Sequence, residues 1–577
     1  MAIAYLHREL TTPTPKTSRT QVKFWFGLSL AFAAVYGILG WQQAFSSDYA
    51  VQDDARQHVF WMLRFLDPEL FPNNLIADYF QSVAPAGYAT FYRVMAALGV
   101  NPLLLNKLLP PVLGLLVTGY CFGLCLELLP IPATGFIAAL MLNQQLWLKD
   151  DLISGTPRAF AYPLFLAFLY YVVRRSLLGT LAAIALLGLF YPQCLFIAAV
   201  ILVLRLADWE NGRFRLSQNR QDYLLCAAGL GVALLVMLPY VLTASEFGPA
   251  ITAAEARTLP EFLPGGRATF FHKTFQGYWI NGRRSSMFPK SLFTPVTLCA
   301  ALLWPLLLAY RSRFPLLKQV TPNIAILPQL FLASVGMFFA AHALLFKLHL
   351  PSRYTGYGFR VIVVLLAAIA LSAILDAIFR ACQQPAKVYQ QVFAIASTVV
   401  IGASLVLYPS FVKHFPLFTY RIGAVPSLYQ FFQQQPKDIL IASLSDEANN
   451  LPTFAQRSIL VGSEYAVPYH VGYYRKFRQQ IIDLIRSQYS PDLAAINQFI
   501  QKYGVDFWLL DASAFTPEYL GDDSWMDQFQ PVSSEARSRL EQGTVPALAT
   551  LVQPCTVFKT ENLVVLEAEC IAQARFD

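Results

Sequence analysis

FWFGLSLAFAAVYGILGWQQAFSSDYAVQDDARQH, residues 24–58, decides what kind of protein this is. Residues 24–44 hold no charged side chain. A helix of that length, rising 1.5 Å per residue, covers a hydrocarbon core of ~30 Å. Directly after it stand Asp53, Asp54, Arg56 and His58. Two carboxylates, a guanidinium and an imidazole at a membrane edge are either a solvated turn or the working part of a site. The rest of the chain has to separate the two.

Apolar runs of this kind recur. Of 577 residues, 56% are hydrophobic and 14% charged, and the mean hydropathy is +0.46; a soluble chain carries about a quarter charged residues. About eleven spans are expected, near 24–44, 103–128, 133–148, 159–173, 177–191, 193–207, 223–243, 292–310, 324–347, 361–379 and 390–408. This is a polytopic α-helical membrane protein, because a membrane β-barrel would show alternating segments of ~10 residues. The formal charge of +8 does not mark a nucleic-acid partner. Much of it sits in short loops, where lysine and arginine set orientation. The first run follows 23 mostly polar residues and has no small-residue cleavage site after it, so it reads as a signal anchor.

Basic residues assign the faces. Arg8, Lys16, Arg19 and Lys23 in the arm 1–23, Arg174–Arg175, Arg213, Arg215, Arg220, Arg311, Arg313, Lys318, Arg380 and Lys387 fall on one side of an eleven-span chain. The positive-inside rule makes that side cytoplasmic. Loops 45–102 and 244–290 then face outwards, as does everything from about 409 to 577. There the composition becomes that of a soluble domain. DILIAS (438–443), RSILVG (457–462) and VDFWLLD (505–511) read as buried strands between helical segments, a small extracytoplasmic α/β domain. Cys555 and Cys570 flank a hairpin turning near Thr560–Asn562 and could pair in an oxidising compartment.

Five stretches carry candidate chemistry. Asp53 and Asp54 begin a segment, FWMLRFL following, that reads as an interfacial helix. A desolvated carboxylate there can take a proton from an acceptor; the plain alternative is helix capping. Asp54 and His58, four apart, share a face. Asp150 and Asp151 form a second outer acidic pair, which could meet the first as acid–base groups or metal ligands. Arg158 could hold one of these carboxylates or a phosphate. Arg353–Tyr354 precede the tenth span, with Arg360 at its edge; an arginine fork suits a lipid phosphate, although snorkelling is the usual habit of an arginine there. Arg283 and Arg284 lie in an aromatic, basic loop that an interfacial belt explains equally well. Glu464 and His470, in the C-terminal part, are candidate acceptor contacts.

In sum, this layout resembles the GT-C superfamily of integral membrane glycosyltransferases, which includes oligosaccharyltransferases, protein O-mannosyltransferases and aminoarabinose transferases. Asp53–Asp54 stand where the acidic motif of the first outer loop lies, Asp150–Asp151 look like the second, and PSRYTGYGF resembles the arginine–tyrosine motif before a late span. The first pair is Asp-Asp rather than the frequent Asp-Glu, and no WWD-type sequon motif is present. The resemblance implies a sugar donor linked to a polyprenyl phosphate, with Asp53 or Asp54 activating a lipid, glycan or protein acceptor. Attack at the anomeric carbon proceeds with inversion. Arg353, Tyr354, Arg158, Arg283 and Arg284 bind the donor phosphate, and His58, Glu464 and His470 contact the acceptor. No cofactor is required by it, though it leaves room for a divalent metal. A bacterial inner membrane fits, with the N-terminus cytoplasmic. Two rival readings are a transporter of lipid-linked solutes, which would carry ionisable groups at midspan, and a non-catalytic scaffold that kept the fold.

Overall fold

The computed structural model describes residues 2–574 apart from 15–16, 211–212, 243–245, 383–387, 418 and 522–524. Lys16 and Lys387, and the first residues of loop 244–290, lie outside the described residues. Six helices are long and apolar enough to cross a membrane: Arg19–Ala44, Pro102–Leu128, Arg220–Leu242, Pro322–Ala343, Pro351–Ala381 and Val388–Phe411. Shorter apolar helices cover Pro157–Val173, Leu177–Phe190, Pro192–Leu204 and Val296–Ala309, and Pro132–Trp147 is buried along its whole length.

Small residues set how closely these helices pack. Arg19–Ala44 starts at Ser18, whose hydroxyl accepts from the Gln21 amide, and buries Ser29, Ala33, Gly37, Gly40 and Ala44 along one side. A Cβ at Gly37 would stand 2.7 Å from Pro111 Cβ, and one at Gly40 2.9 Å from the Trp147 ring. Only glycine allows that approach, as is common between helices in lipid. The central helix Pro132–Trp147 carries Asn143, Gln144 and Gln145. Their amides donate to Thr118 Oγ1, to the Leu405 carbonyl and to the Leu292 carbonyl, so buried polar groups tie the bundle together.

Pro351–Ala381 begins ten residues before the expected span at 361. Proline at its first turn is favourable for initiation, and Tyr354, Tyr357, Phe359 and Arg360 are all buried. The PSRYTGYGF segment is therefore the first two turns of a helix and not an outer loop.

After residue 44 the chain forms a short strand, Ala50–Gln52, antiparallel to Tyr420–Ile422 with Val51 opposite Arg421. Helix Ala55–His58 and a 3-10 segment, Phe60–Phe65, follow. Phe60, Trp61, Met62 and Leu63 are buried. The expected interfacial helix is thus a packed segment, closed off by Tyr465 at 5.7 Å from the Phe60 ring. In the C-terminal part, strands Leu440–Ser443, Ser458–Ile459, Phe507–Asp511, Thr556–Lys559 and Leu563–Glu567 make one sheet. The first strand pairs parallel to the second and third; the fifth pairs antiparallel to the third and fourth. Helix Leu493–Tyr503 ends at Gly504, left-handed at φ 67°. Cys555 and Cys570 form a disulfide with Cα atoms 5.5 Å apart.

Candidate active site

The strand pair Ala50–Gln52 and Tyr420–Ile422 aims the first acidic pair. The Asp53 amide donates to the Thr419 carbonyl at 2.9 Å, after which the chain turns into helix Ala55–His58 and the two neighbouring side chains diverge. Asp53 Oδ1 accepts from Arg56, and from Arg421 Nε at 3.0 Å. It is committed to an ion-pair knot with the neighbouring strand. Asp54 points the other way. Its Oδ2 accepts from Arg158 Nη2 at 2.6 Å, whereas Oδ1 has no partner among the described residues. The Asp54 side chain is 35% exposed.

A second loop brings the partner. Gly155 takes the left-handed φ of +57°, and a Cβ there would meet Asn106 Nδ2 at 2.5 Å. Asn106 donates to the Ser154 carbonyl at 2.8 Å, and Tyr92 to the Gly155 carbonyl at 3.1 Å. This clamp fixes the turn that carries Asp150 and Asp151 on one side and Arg158 on the other. Arg158 Nε stands 3.5 Å from Asp151 Oδ1, and Arg360 Nη1 stands 3.9 Å from Asp151 Oδ2. Thr419 ties the loops together from below: its hydroxyl donates to Asp150 Oδ1 and accepts from Gln52 Nε2 at 2.8 Å. The two acidic motifs, 96 residues apart from Asp54 to Asp150, therefore converge.

A ring of cations surrounds them. Arg353, Tyr357 and Arg360 share a face of helix Pro351–Ala381 by their spacing. Tyr357 donates to Tyr191 at 2.9 Å and Arg360 to Tyr162 at 3.2 Å. The Arg353 guanidinium has no hydrogen-bond or ion-pair partner among the described residues, although it lies close enough to feel Asp151 and Arg158. Lys149 Nζ and Arg360 Nη2 both donate to the Lys290 carbonyl, at 2.7 and 3.4 Å. Arg283 lies within electrostatic reach of Asp54. Arg284 donates weakly to the Thr269 carbonyl at 3.4 Å.

The charges act on one another. Burial pushes the Asp54 carboxyl up, but Arg158, His58, Arg353 and Arg283 together outweigh it, and the group sits below the usual carboxylate range. Asp151 is lowered in the same way, burial being overcome by Arg158, Arg360, Lys149 and Arg353. Asp150 goes the other way: burial raises it, Thr419 and Arg158 offset this only in part, and Asp54 and Asp151 add to the rise. Burial and the neighbouring Arg360, Arg158 and Arg353 bring the Lys149 ammonium down to about 7, against the pull of Asp151. Burial lowers His58, against the pull of Asp54. Carboxylates pushed apart in this manner are a frequent mark of acid–base sites.

The other expected contacts fall elsewhere. Tyr354, one residue round the helix from Arg353, is buried and donates to the Leu348 carbonyl at 2.9 Å. Glu464 is held internally by Arg56 at 3.2 Å, by Arg267 at 3.2 Å and by Gln57. His470 Nδ1 pairs with Tyr79 Oη at 2.9 Å. His58 lies edge-on to Phe80, ring centres 5.8 Å apart. Lys149, Thr419, Arg421, Tyr191 and Tyr357 complete the site and were not expected from the sequence. Lys149 alone had a visible signal, as the residue directly before an acidic pair.

No protein-family model matches this sequence, and no curated protein matches it. Solved structures do. The oligosaccharyltransferase of Archaeoglobus fulgidus, tethered with an acceptor peptide containing the NVT sequon, is similar at a TM-score of 0.54 and 13% identity, over 89% of this chain and 72% of that one. The same archaeal enzyme, AglB, in complex with an inhibitory peptide and a dolichol-phosphate, gives 0.54 and 12% over 89% and 72%. Its complex with Zn and sulfate gives 0.51 and 12% over 88% and 70%. The chain is an integral membrane protein with a GT-C type of fold. A metal does not fit the acidic motifs as they stand here. Among the described residues no three His, Cys, Asp or Glu side chains group so as to hold an ion, and Arg158 lies between Asp54 and Asp151.

Proposed function

We propose that this protein is an inverting glycosyltransferase that takes a sugar from a polyprenyl-phosphate donor and passes it to a lipid, glycan or protein acceptor at the extracytoplasmic face of a bacterial inner membrane. The single observation that carries the proposal is Asp54: one oxygen is anchored on Arg158, the other has no partner among the described residues, and Arg353 and Arg283 stand within electrostatic reach of it. Asp54 is the base. Its open Oδ1 accepts the proton of the acceptor hydroxyl or amine as the acceptor attacks the anomeric carbon. The bond to the donor phosphate breaks, and the phosphate leaves as an anion stabilised by Arg353, Arg283 and Arg284, which meet the developing charge already in place. Asp53, tied to Arg56 and Arg421, positions the loop.

Within this reading the chain crosses the membrane eleven times, with residues 1–23 inside and the sheet-bearing residues 409–577 outside. The Cys555–Cys570 disulfide supports that placement, since disulfides persist in oxidising compartments. Mass spectrometry of cell-envelope glycans and lipids tests the proposal. A glycan or glycolipid lost on deletion of the gene returns with the wild type and stays lost with Asp54→Asn, provided the variant inserts normally. Full restoration by Asp54→Asn overturns it.

A further inference from the structure

The two acidic motifs meet on a cation that the chain supplies itself. Arg158 reaches Asp54 Oδ2 through Nη2 at 2.6 Å and Asp151 Oδ1 through Nε at 3.5 Å, and Arg360 backs Asp151 Oδ2 at 3.9 Å. One guanidinium thus faces an oxygen from each outer loop. A divalent ion bridging the same oxygens would need both within roughly 2.0–2.6 Å of itself. It would have to displace Arg158 and settle amid Arg353, Arg360 and Lys149, all of which act on Asp151. Asp150, the remaining carboxylate, is engaged by Thr419. The donor set is short of ligands and the surroundings repel a second cation.

We infer that Arg158 stands in for a bridging divalent metal: it is the fixed cation that joins the acidic loops and orients Asp54, and the site binds no divalent ion there. A guanidinium suits this task. It keeps its charge at any working pH and presents donors in a rigid fork. It engages only Oδ2 of Asp54, which leaves Oδ1 for the acceptor, whereas a chelating ion competes for both oxygens. Arg158 is in this sense a positioning residue, acting through Asp54. The consequence for transfer rests on the glycosyltransferase reading; the statement about metal binding does not.

The test uses the full-length protein in detergent micelles, with Mn2+ as the probe, followed by electron paramagnetic resonance. Mg2+ competition separates a specific site from loose surface binding. The expected result is that wild type, Asp54→Asn and Asp151→Asn bind Mn2+ alike, and that millimolar Mn2+ does not raise the melting temperature of the wild type. One tightly bound Mn2+ in the wild type that either variant lacks overturns the inference. Should one variant fail to fold, the other carries the comparison. A second readout separates a cation from a packing element: Arg158→Lys retains more transfer than the near-isosteric Arg158→Met, and equal loss in the two counts against a role for the charge. A protein that transfers no sugar yet binds no Mn2+ would sink the proposed activity and leave this inference standing.

Discussion

Acidic residues pair with arginines at both ends of the bundle, and the two ends treat them differently. Helix Pro351–Ala381 has 31 residues, about 46 Å at 1.5 Å per residue. It carries Arg353 in its first turn and Asp376 near its last. Asp376 is fully buried and both its oxygens are taken, Oδ1 by His7 at 2.7 Å and Oδ2 by Arg380 at 2.8 Å. Pro157–Val173 likewise has Arg158 at one end, and Arg175 just beyond the other. Arg175 forks onto both oxygens of Asp222 at 2.9 and 3.1 Å, and Ser217 adds a third bond at 2.9 Å. Asp222 is 3% exposed. Asp54, by contrast, is a third exposed and only half satisfied. Buried charges that serve the fold mostly have their polar atoms engaged. An acid left half engaged amid surplus cations is arranged for something that arrives from outside.

Substitution at each end should break the symmetry. Asp54→Asn keeps the shape and the Arg158 contact but removes the proposed base, so transfer should fall about 1,000-fold or more, within the range for losing a positioned acid–base group. Its melting temperature stays near that of the wild type. Asp53→Asn loosens the ties to Arg56 and Arg421 but leaves Asp54 in place, and lowers transfer by less than about tenfold. A larger loss in Asp53→Asn than in Asp54→Asn, read in the same transfer assay, would reverse the assignment of the two residues.

Arg353→Met comes next. It removes the cation that the proposed mechanism sets against the leaving phosphate, and a loss of about 100-fold is expected, comparable with deleting one preorganised donor to a developing charge. An unchanged kcat and KM would remove Arg353 from the site. At the far end, Asp222→Asn takes away the carboxylate that Arg175 and Arg205 share, which costs about 3 kcal/mol of stability. Thermal melting registers that loss, while transfer per folded molecule is unaltered. A drop in turnover without a drop in melting temperature would show that the two ends do not divide stability and chemistry between them.

The helices were legible where periodicity and hydropathy act within one segment: every expected apolar run lies on a helix, and the strands near 438, 457 and 505 are where β-branched and aromatic runs placed them. The site was legible in its acids and in Arg158, because charged residues beside apolar spans stand out. What was hidden depends on contacts across the chain. The PSRYTGYGF segment has two glycines and an arginine and scores poorly as a span, yet burial holds it helical. That early start puts Arg353, Tyr357 and Arg360 on one face and turns Tyr354 away. The division of labour between Asp53 and Asp54 is set by a strand 370 residues downstream, where Arg421 and Thr419 lie. Glu464 looked available to an acceptor; its three internal partners come from residues 56, 57 and 267, and no local pattern links them.

Lys149 gives the smallest effect and the finest test of the comparison. An ordinary lysine is charged throughout the physiological range, but burial and three arginines bring this one down to about 7. The sign follows. Above pH 7 the amine is mostly neutral; as the pH falls through about 7 it gains a proton and adds a positive charge to the site proposed for the donor phosphate. Donor binding should therefore tighten on going from pH 8.5 to pH 6, by about three- to tenfold, in keeping with one partly screened charge pair. Asp54 and Asp151, both held below the usual carboxylate range, stay ionised over that interval and contribute no slope. Asp150 is raised, so Asp150→Asn serves as the control that separates its titration from that of Lys149. Lys149→Met should flatten the profile of donor KM against pH and leave the profile of the Asp150→Asn protein intact. If Lys149→Met keeps the wild-type slope, the titrating cation lies elsewhere, and the surplus charge around Asp54 is fixed rather than tunable.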